Sequence, residues 1–135
     1  MVTKELRCKS VRVDNQHSGA TGVDHVWKWS PDRNIKIRKV FMCLDLPDAQ
    51  IGTAWAWVSK GGVDMGDPAS LPNEEEMIFA GQHITSGTGN PDNVRAFFDF
   101  GEYYIEIEDG ETVVLSTRQP NAQNLGIGLF IFYTT

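Results

Sequence analysis

The sequence predicts an all-β protein built as an antiparallel β-sandwich of about eight strands. Apolar and polar residues alternate with a period of two along most of the chain, and no segment has a convincing 3.6-residue period. The connections are long and uneven, which favours a sandwich over a simple meander. A length of 135 residues with 41% hydrophobic residues indicates a single domain, residues 1–135, that is large enough to bury its own core.

Nine segments carry the alternation that is typical of strands. They span residues 6–13, 26–29, 35–46, 53–59, 77–84, 94–100, 103–108, 111–118 and 126–134. In the long third segment the parity of the apolar residues changes near Arg38 and Lys39, which predicts a β-bulge or a bend between two sheets. The helical candidate is a single turn over residues 72–76, where Asn73 is a suitable cap.

The last segment, residues 126–134, is apolar on both parities. Such a strand is expected at the centre of a sheet, where it is covered on both sides or faces a partner subunit.

Residues 103–115 predict a hairpin around Asp109 and Gly110, a strong turn signal. A three-residue turn with Gly110 in the left-handed conformation is preferred to a two-residue turn, because it matches apolar residues across one face. The matched residues are Ile105 with Val113 and Tyr103 with Leu115.

Cys8 and Cys43 are the only two cysteines, too few for a disulfide framework or a zinc site. Both lie in strand-like segments, so we expect buried thiols. A bridge between them requires that their strands be neighbours, which the sequence does not decide.

The sequence offers few groups for catalysis, and we expect no enzyme, no metal and no cofactor. The histidines His17, His25 and His83 are scattered, and no phosphate-binding or nucleophile motif occurs. Carboxylates for a distant third hypothesis, a small glycoside hydrolase, are Asp99, Glu102, Glu106 and Glu108. Oxygen donors for calcium in two irregular loops are Asp64, Asp67, Asn90, Asp92 and Asn93, a composition more typical of plain turns.

The charge is divided unevenly along the chain. Residues 1–60 carry ten basic and six acidic groups, whereas residues 61–135 carry two and twelve, for a net charge of −6. This acidic balance disfavours nucleic-acid binding. The basic residues are densest at Arg33, Lys36, Arg38 and Lys39. They indicate either a solvated strand face or a positive patch that meets an acidic neighbour or a phosphate backbone. Separated positive and negative patches favour a head-to-tail trimer or larger ring.

Four tryptophans form two pairs, each on one face of its strand: Trp27 with Trp29, and Trp55 with Trp57. Core packing is one interpretation. If the two strands pair and share a face, the indoles instead form an aromatic patch that stacks on sugars or inserts into a neighbouring subunit. These four residues and the four basic ones are therefore the candidate interface or ligand residues.

Three runs resemble the small single jelly-roll structural proteins of virus particles, mainly over residues 94–135. They are FGEYYIEIEDGETVVL at 100–115, the terminal IFYTT at 131–135 and the early WSP at 29–31. Similar endings occur in β-sandwich lectins and in tumour-necrosis-factor-like trimers. The resemblance implies a jelly-roll topology and carries no catalytic signature, and fold analogy alone does not fix function.

The leading hypothesis is a non-enzymatic virion structural protein, a minor capsid, decoration or spike subunit that acts through subunit contacts. Its expected partners are further copies of itself and other capsid proteins. Residues 1–10 carry charges where a signal peptide has its apolar core, so we expect synthesis in the host cytoplasm and no membrane insertion. The alternative is a carbohydrate-binding β-sandwich module that uses surface tryptophans and binds a glycan.

Overall fold

The computed structural model describes residues 5–16, 23–46, 52–62, 77–86, 92–118 and 124–135. These residues form nine β-strands and no helix, so the all-β prediction is confirmed. The strands are β1 (Arg7–Gln16), β2 (Val23–Trp29), β3 (Ile35–Leu46), β4 (Gly52–Lys60), β5 (Met77–Ser86), β6 (Asp92–Asp99), β7 (Ile105–Ile107), β8 (Val113–Arg118) and β9 (Asn124–Thr134). The helical turn predicted at 72–76 lies outside the described residues. None of the described segments is a helix that could span a membrane.

The strands form two antiparallel sheets. Sheet A has the order β1-β9-β3-β6, and the short β7 also pairs with β3; sheet B has the order β2-β8-β4-β5. The chain passes between the sheets after β1, β2, β3, β5, β7 and β8, so sequence neighbours mostly belong to opposite sheets. A five-stranded and a four-stranded sheet connected in this way form a jelly-roll sandwich, as the resemblance predicted.

Apolar side chains from both sheets interleave to form the core. Sheet A contributes residues of β3, β7 and β9, and sheet B contributes residues of β4, β5 and β8. The side chains that are almost completely buried include Ile37, Met42, Leu44, Ile107, Leu115, Ile127, Leu129 and Ile131. This alternation of inward apolar positions is what packs two sheets face to face.

The parity change predicted in β3 is a β-bulge. The register between β3 and β9 shifts between Ile37 and Lys39. As a result Ile37 and Val40 are both buried, although regular alternation would place residues three positions apart on opposite faces of the sheet. Arg38 and Lys39, which lie between them, are half-buried. The bulge keeps a long strand apolar toward the core on both sides of the irregularity.

The predicted hairpin is wrong in its pairing and right in its turn. Strand β7 pairs with Ile35–Ile37 of β3 in sheet A, whereas β8 pairs with β2 and β4 in sheet B. The Asp-Gly turn therefore connects the two sheets, because Ile107 and Val113 enter the core from opposite sides. Gly110 has a φ of +95°, and the Glu111 N–H donates to the Glu108 carbonyl at 3.0 Å.

The cysteines do not meet, because β9 lies between β1 and β3. Both thiols are free. Cys43 is half-buried, but Cys8 is exposed, and the prediction of a buried Cys8 is wrong. The reason is that β1 is an edge strand, and Cys8 shares the outward parity of Ser10 and Arg12.

We expect Gly110→Val to lower the free energy of unfolding by about 1–2 kcal/mol, since a β-branched residue resists positive φ. An added Cβ at Gly110 has no atom within 4 Å, so the loss measures backbone strain without a clash. Urea denaturation checks this, with Gly110→Asn as the matched control, because Asn tolerates the left-handed region and should lose less. Equal midpoints for the valine variant and the parent chain would contradict the prediction.

Candidate interaction surface

The outward face of sheet A carries a ridge of three phenylalanines, which we call the phenylalanine ridge. Phe130 of β9, Phe41 of β3 and Phe97 of β6 are direct cross-strand neighbours. Their ring centroids are 5.7 Å apart between Phe130 and Phe41 and 6.5 Å apart between Phe41 and Phe97. Phe97 is 57% exposed and Phe130 is 37% exposed. A contiguous apolar row in this setting is typical of a protein-binding surface.

A groove runs beside the ridge, which we call the glycine groove. Its floor is formed by Gly126 and Gly128 of β9, and it is an open depression of about 510 Å³. Arg12 of β1 and Arg95 of β6 lie at the two ends of the cross-strand row that contains Gly128. Phe130 also lines the groove. Because glycine lacks a side chain, the sheet is open here to a group from outside.

Cys43 fixes the identity of Gly128. Their Cα atoms are register partners, and the Cys43 thiol donates to the Gly128 carbonyl with 3.8 Å between sulfur and oxygen. An added Cβ at Gly128 would lie 2.7 Å from the Cys43 Sγ. Side chains do not approach this closely, so the cysteine and the glycine depend on each other.

Charged residues lie in the cross-strand rows on both sides of the ridge and the row of Gly128. Asp14 and Asp45 are the register partners of Gly126, at the far end of the groove, and Asp45 also lines it. On the other side of the ridge, Lys39 lies between Phe132 and Asp99, and its Nζ is 3.7 Å from a carboxylate oxygen of Asp99. Along the strands of sheet A, the order is therefore the row of Phe132, Lys39 and Asp99, the phenylalanine ridge, the Gly128 row with two arginines, and the Gly126 row with two aspartates.

The four basic residues that the sequence singled out do not form one open patch. Arg33 lies in the turn before β3 and pairs with Asp32 at 3.3 Å. Lys36 Nζ and Arg38 Cζ lie 4.8 and 4.9 Å from the ring centroid of Tyr104, a cation–π geometry. Arg38 also donates from Nε to the Thr134 Oγ1 at 3.3 Å. Lys36, Arg38 and Lys39 thus have partners within the chain.

The two tryptophan pairs lie on opposite faces of sheet B. Trp27 and Trp29 stack with 6.3 Å between ring centroids and pack against the core, and Trp29 also contacts Tyr133 at 5.3 Å. Trp55 and Trp57 face the other side, and β8 separates the two strands. The condition for a four-indole patch is not met. Trp57 is 0% exposed and Trp55 is half-buried.

Other candidate groups are dispersed. In the part of the chain that the structure describes, no three His, Cys, Asp or Glu side chains converge as a metal site. Asp99 accepts the Gly101 N–H at 2.8 Å, and His25 Nδ1 lies 2.8 Å from the Ser116 Oγ. His17, Asp64, Asp67 and Asn90 lie outside the described residues.

Sequence reasoning missed the ridge and the groove. The signal that points to them is the strand over 126–134, which is apolar on both parities and was expected to be covered on both sides or to face a partner subunit. Strand β9 is central in sheet A, as predicted, and its outward parity carries Phe130 and the groove glycines. Phe41 and Phe97 join them only through the register of three strands.

We expect Gly128→Ala to lower the free energy of unfolding by about 1–3 kcal/mol, because the new methyl group overpacks against the Cys43 sulfur. Cys43→Ala in the same chain removes that sulfur and should recover most of the loss. A double-mutant cycle by thermal denaturation measures the coupling between the two positions. Additive effects would show that the thiol is not the obstacle.

No protein-family model matches the sequence, and the search of curated proteins finds no match. Solved structures with a similar fold do exist. A chain of infectious bursal disease virus, Gx strain, superposes with a TM-score of 0.53 at 9% identity over 97% of this chain. The match covers 33% of the virus chain, so this chain spans about a third of that length.

Two other similar structures cover more of their own length at lower TM-scores. One is a Bacillus endospore appendage from a family of disulfide-linked pili, with a TM-score of 0.47, 13% identity, and coverage of 99% of this chain and 91% of that chain. The other is a virus-like particle of the extra small virus of the prawn Macrobrachium rosenbergii, with a TM-score of 0.44, 8% identity, and coverage of 100% and 83%. At these identities the likeness is one of fold, and the jelly-roll sandwich predicted from the sequence resemblance is confirmed by the strand order and by the bursal disease virus chain.

Proposed function

We propose that this chain is a non-enzymatic structural subunit of a virus particle, of the minor capsid, decoration or spike type, that acts through contacts between folded subunits. The observation that carries the proposal is the phenylalanine ridge exposed on one sheet of a jelly roll. The fold it shares with the bursal disease virus chain supports the same proposal. The location that follows is the virion, with copies of this chain and other capsid proteins as partners.

Apolar burial supplies the affinity in this proposal. Burying a phenylalanine side chain stabilises by about 1.5–3 kcal/mol, and Phe97 and Phe130 are both exposed in the single chain. An exposed ion pair contributes only about 0–1 kcal/mol. The ridge therefore accounts for more of a subunit contact than the surrounding charges do, and the charges set its orientation.

The head-to-tail trimer or larger ring stays a prediction. It depended on an open basic patch at Arg38 and Lys39, and these residues contact Tyr104 and Asp99 within the chain. Self-association through the ridge does not need that patch. The size of the assembly in solution distinguishes the two arrangements.

We expect the chain to self-associate at micromolar concentration, and the double variant Phe97→Ser with Phe130→Ser to be monomeric, because the apolar contact is lost. Sedimentation velocity measures this. Tyr103→Ser is the matched control: Tyr103 is 71% exposed and lies outside the ridge, so its loss should leave the assembly unchanged.

A parent chain that stays monomeric in low salt at micromolar concentration would reject assembly through this surface. Glycan binding by that monomer, lost on Trp55→Ala, would favour the carbohydrate-binding alternative instead. Unchanged melting temperatures of the serine variants are required, so that loss of association is not loss of folding.

A further inference from the structure

We infer that the outward face of sheet A binds the same face of a second copy of the chain, with the phenylalanine ridge of each copy in the glycine groove of the other. This inference rests on the proposed structural function and names the partner and the register of its contact. A two-fold axis in the plane of the interface relates the two copies. The axis runs perpendicular to the strands, midway between the ridge and the neighbouring row that contains Gly128.

The order of the cross-strand rows fits a two-fold axis. Outward side chains of β1, β9, β3 and β6 line up through their registers, so that Ser10, Phe130, Phe41 and Phe97 form the ridge row and Arg12, Gly128, Cys43 and Arg95 form the next. A two-fold axis between these adjacent rows exchanges them. It also places each strand over its counterpart, and the contact is isologous, because residue i of one copy contacts residue j of the other and j contacts i.

The ridge and the groove also have complementary shapes. Phe97 and Phe130 stand out from the sheet, while the neighbouring groove is an open depression of about 510 Å³ with a glycine floor. Ridge against groove fills the depression of both copies at once. Ridge against ridge would leave both grooves empty, and protein interfaces pack as densely as protein interiors.

The charges also fit this axis. It carries the row of Lys39 onto the row of Asp45, and both residues belong to β3. The Lys39 side chain is still 36% exposed beside Asp99, so it faces Asp45 of the second copy. The axis also places Arg95 over Phe97 of the second copy, a cation–π arrangement. An axis through the groove row would instead place Arg12 over Arg12 and Arg95 over Arg95, and like charges in contact oppose association.

The area fits a reversible dimer. Four strands at about 4.8 Å spacing and four rows at about 7 Å spacing give a face of roughly 500 Å² per copy, or about 1,000 Å² in total. That value lies at the lower end for specific interfaces. The contact is therefore expected to respond to single substitutions.

The test is a charge exchange read by sedimentation equilibrium. Lys39→Glu alone and Asp45→Lys alone should each weaken the dimer by about tenfold or more, because the two-fold makes each substitution act twice. The double variant with both changes should restore the affinity to within about threefold. Lys28→Glu, on the exposed outward face of sheet B, makes the same charge change elsewhere and should have no effect.

Gly126→Val is a second variant that fills the groove without changing a charge, at the position that the proposed axis places opposite Phe132 of the second copy. An added Cβ at Gly126 meets its nearest atoms, in Asp14 and Asp45, at 3.4 to 3.6 Å, so a side chain fits on the strand. We expect a folded monomer with the parent circular dichroism spectrum.

The outcomes separate the two proposals. Association of the parent chain that is lost in the Phe97→Ser with Phe130→Ser variant supports the structural function. If the charge exchange and Gly126→Val then leave the association unchanged, the two-fold register is overturned and the structural function stands. An axis through the ridge would instead place Asp99 opposite Arg95 of the second copy. The proposed register is therefore also overturned if Arg95→Asp restores the association lost in Asp99→Arg and no such rescue occurs between positions 39 and 45. A parent chain that is monomeric at micromolar concentration overturns the dimer and self-association through the ridge, and it leaves other capsid proteins as the partners that the structural function requires.

Discussion

Alternate side chains of a β-strand point to opposite faces of the sheet, so β9 contributes both to the core and to the outward face of sheet A. Its inward side chains, Leu125 to Ile131 at every second position, are buried in the core. Its outward positions carry the groove glycines and Phe130. Because β9 pairs with β1 on one side and β3 on the other, its register decides which residues of both neighbours join each surface. A slip of one residue would exchange core and surface, so packing of the core also fixes the ridge.

The bulge in β3 fixes the position of the charged residues beside the ridge. Ile37 and Val40 both remain in the core, and the extra residue between them leaves Arg38 and Lys39 on the outward side. Lys39 then lies one row from Phe41 and reaches Asp99, while Arg38 reaches Tyr104. Without the bulge, one end of β3 would present its apolar residues to solvent. The same irregularity therefore supports the core and places a cation beside the proposed contact.

Local patterns in the sequence predict the strands, the β3 bulge, the Gly110 turn and the central place of the last strand. They do not predict that β7 pairs with β3 instead of β8, because a turn signal does not show which sheet each strand joins. They also do not predict the ridge, since Phe41, Phe97 and Phe130 come together through long-range registers. The four-indole patch fails for the same reason: period two places each tryptophan pair on one face, but only the strand order shows that β8 separates the two strands. Core packing, the other interpretation, holds for Trp27 and Trp29.

Phe97 and Phe130 become buried when copies of the chain associate, if the phenylalanine ridge is the contact surface. Hydroxyl-radical footprinting read by mass spectrometry measures this directly, because it reports oxidation of individual side chains as the protein concentration rises. We predict that oxidation of Phe97 and Phe130 falls as the assembly forms, while oxidation of the exposed Tyr103 does not change. Assembly with an unchanged oxidation rate at Phe97 would contradict the account, because the contact would then lie on another surface.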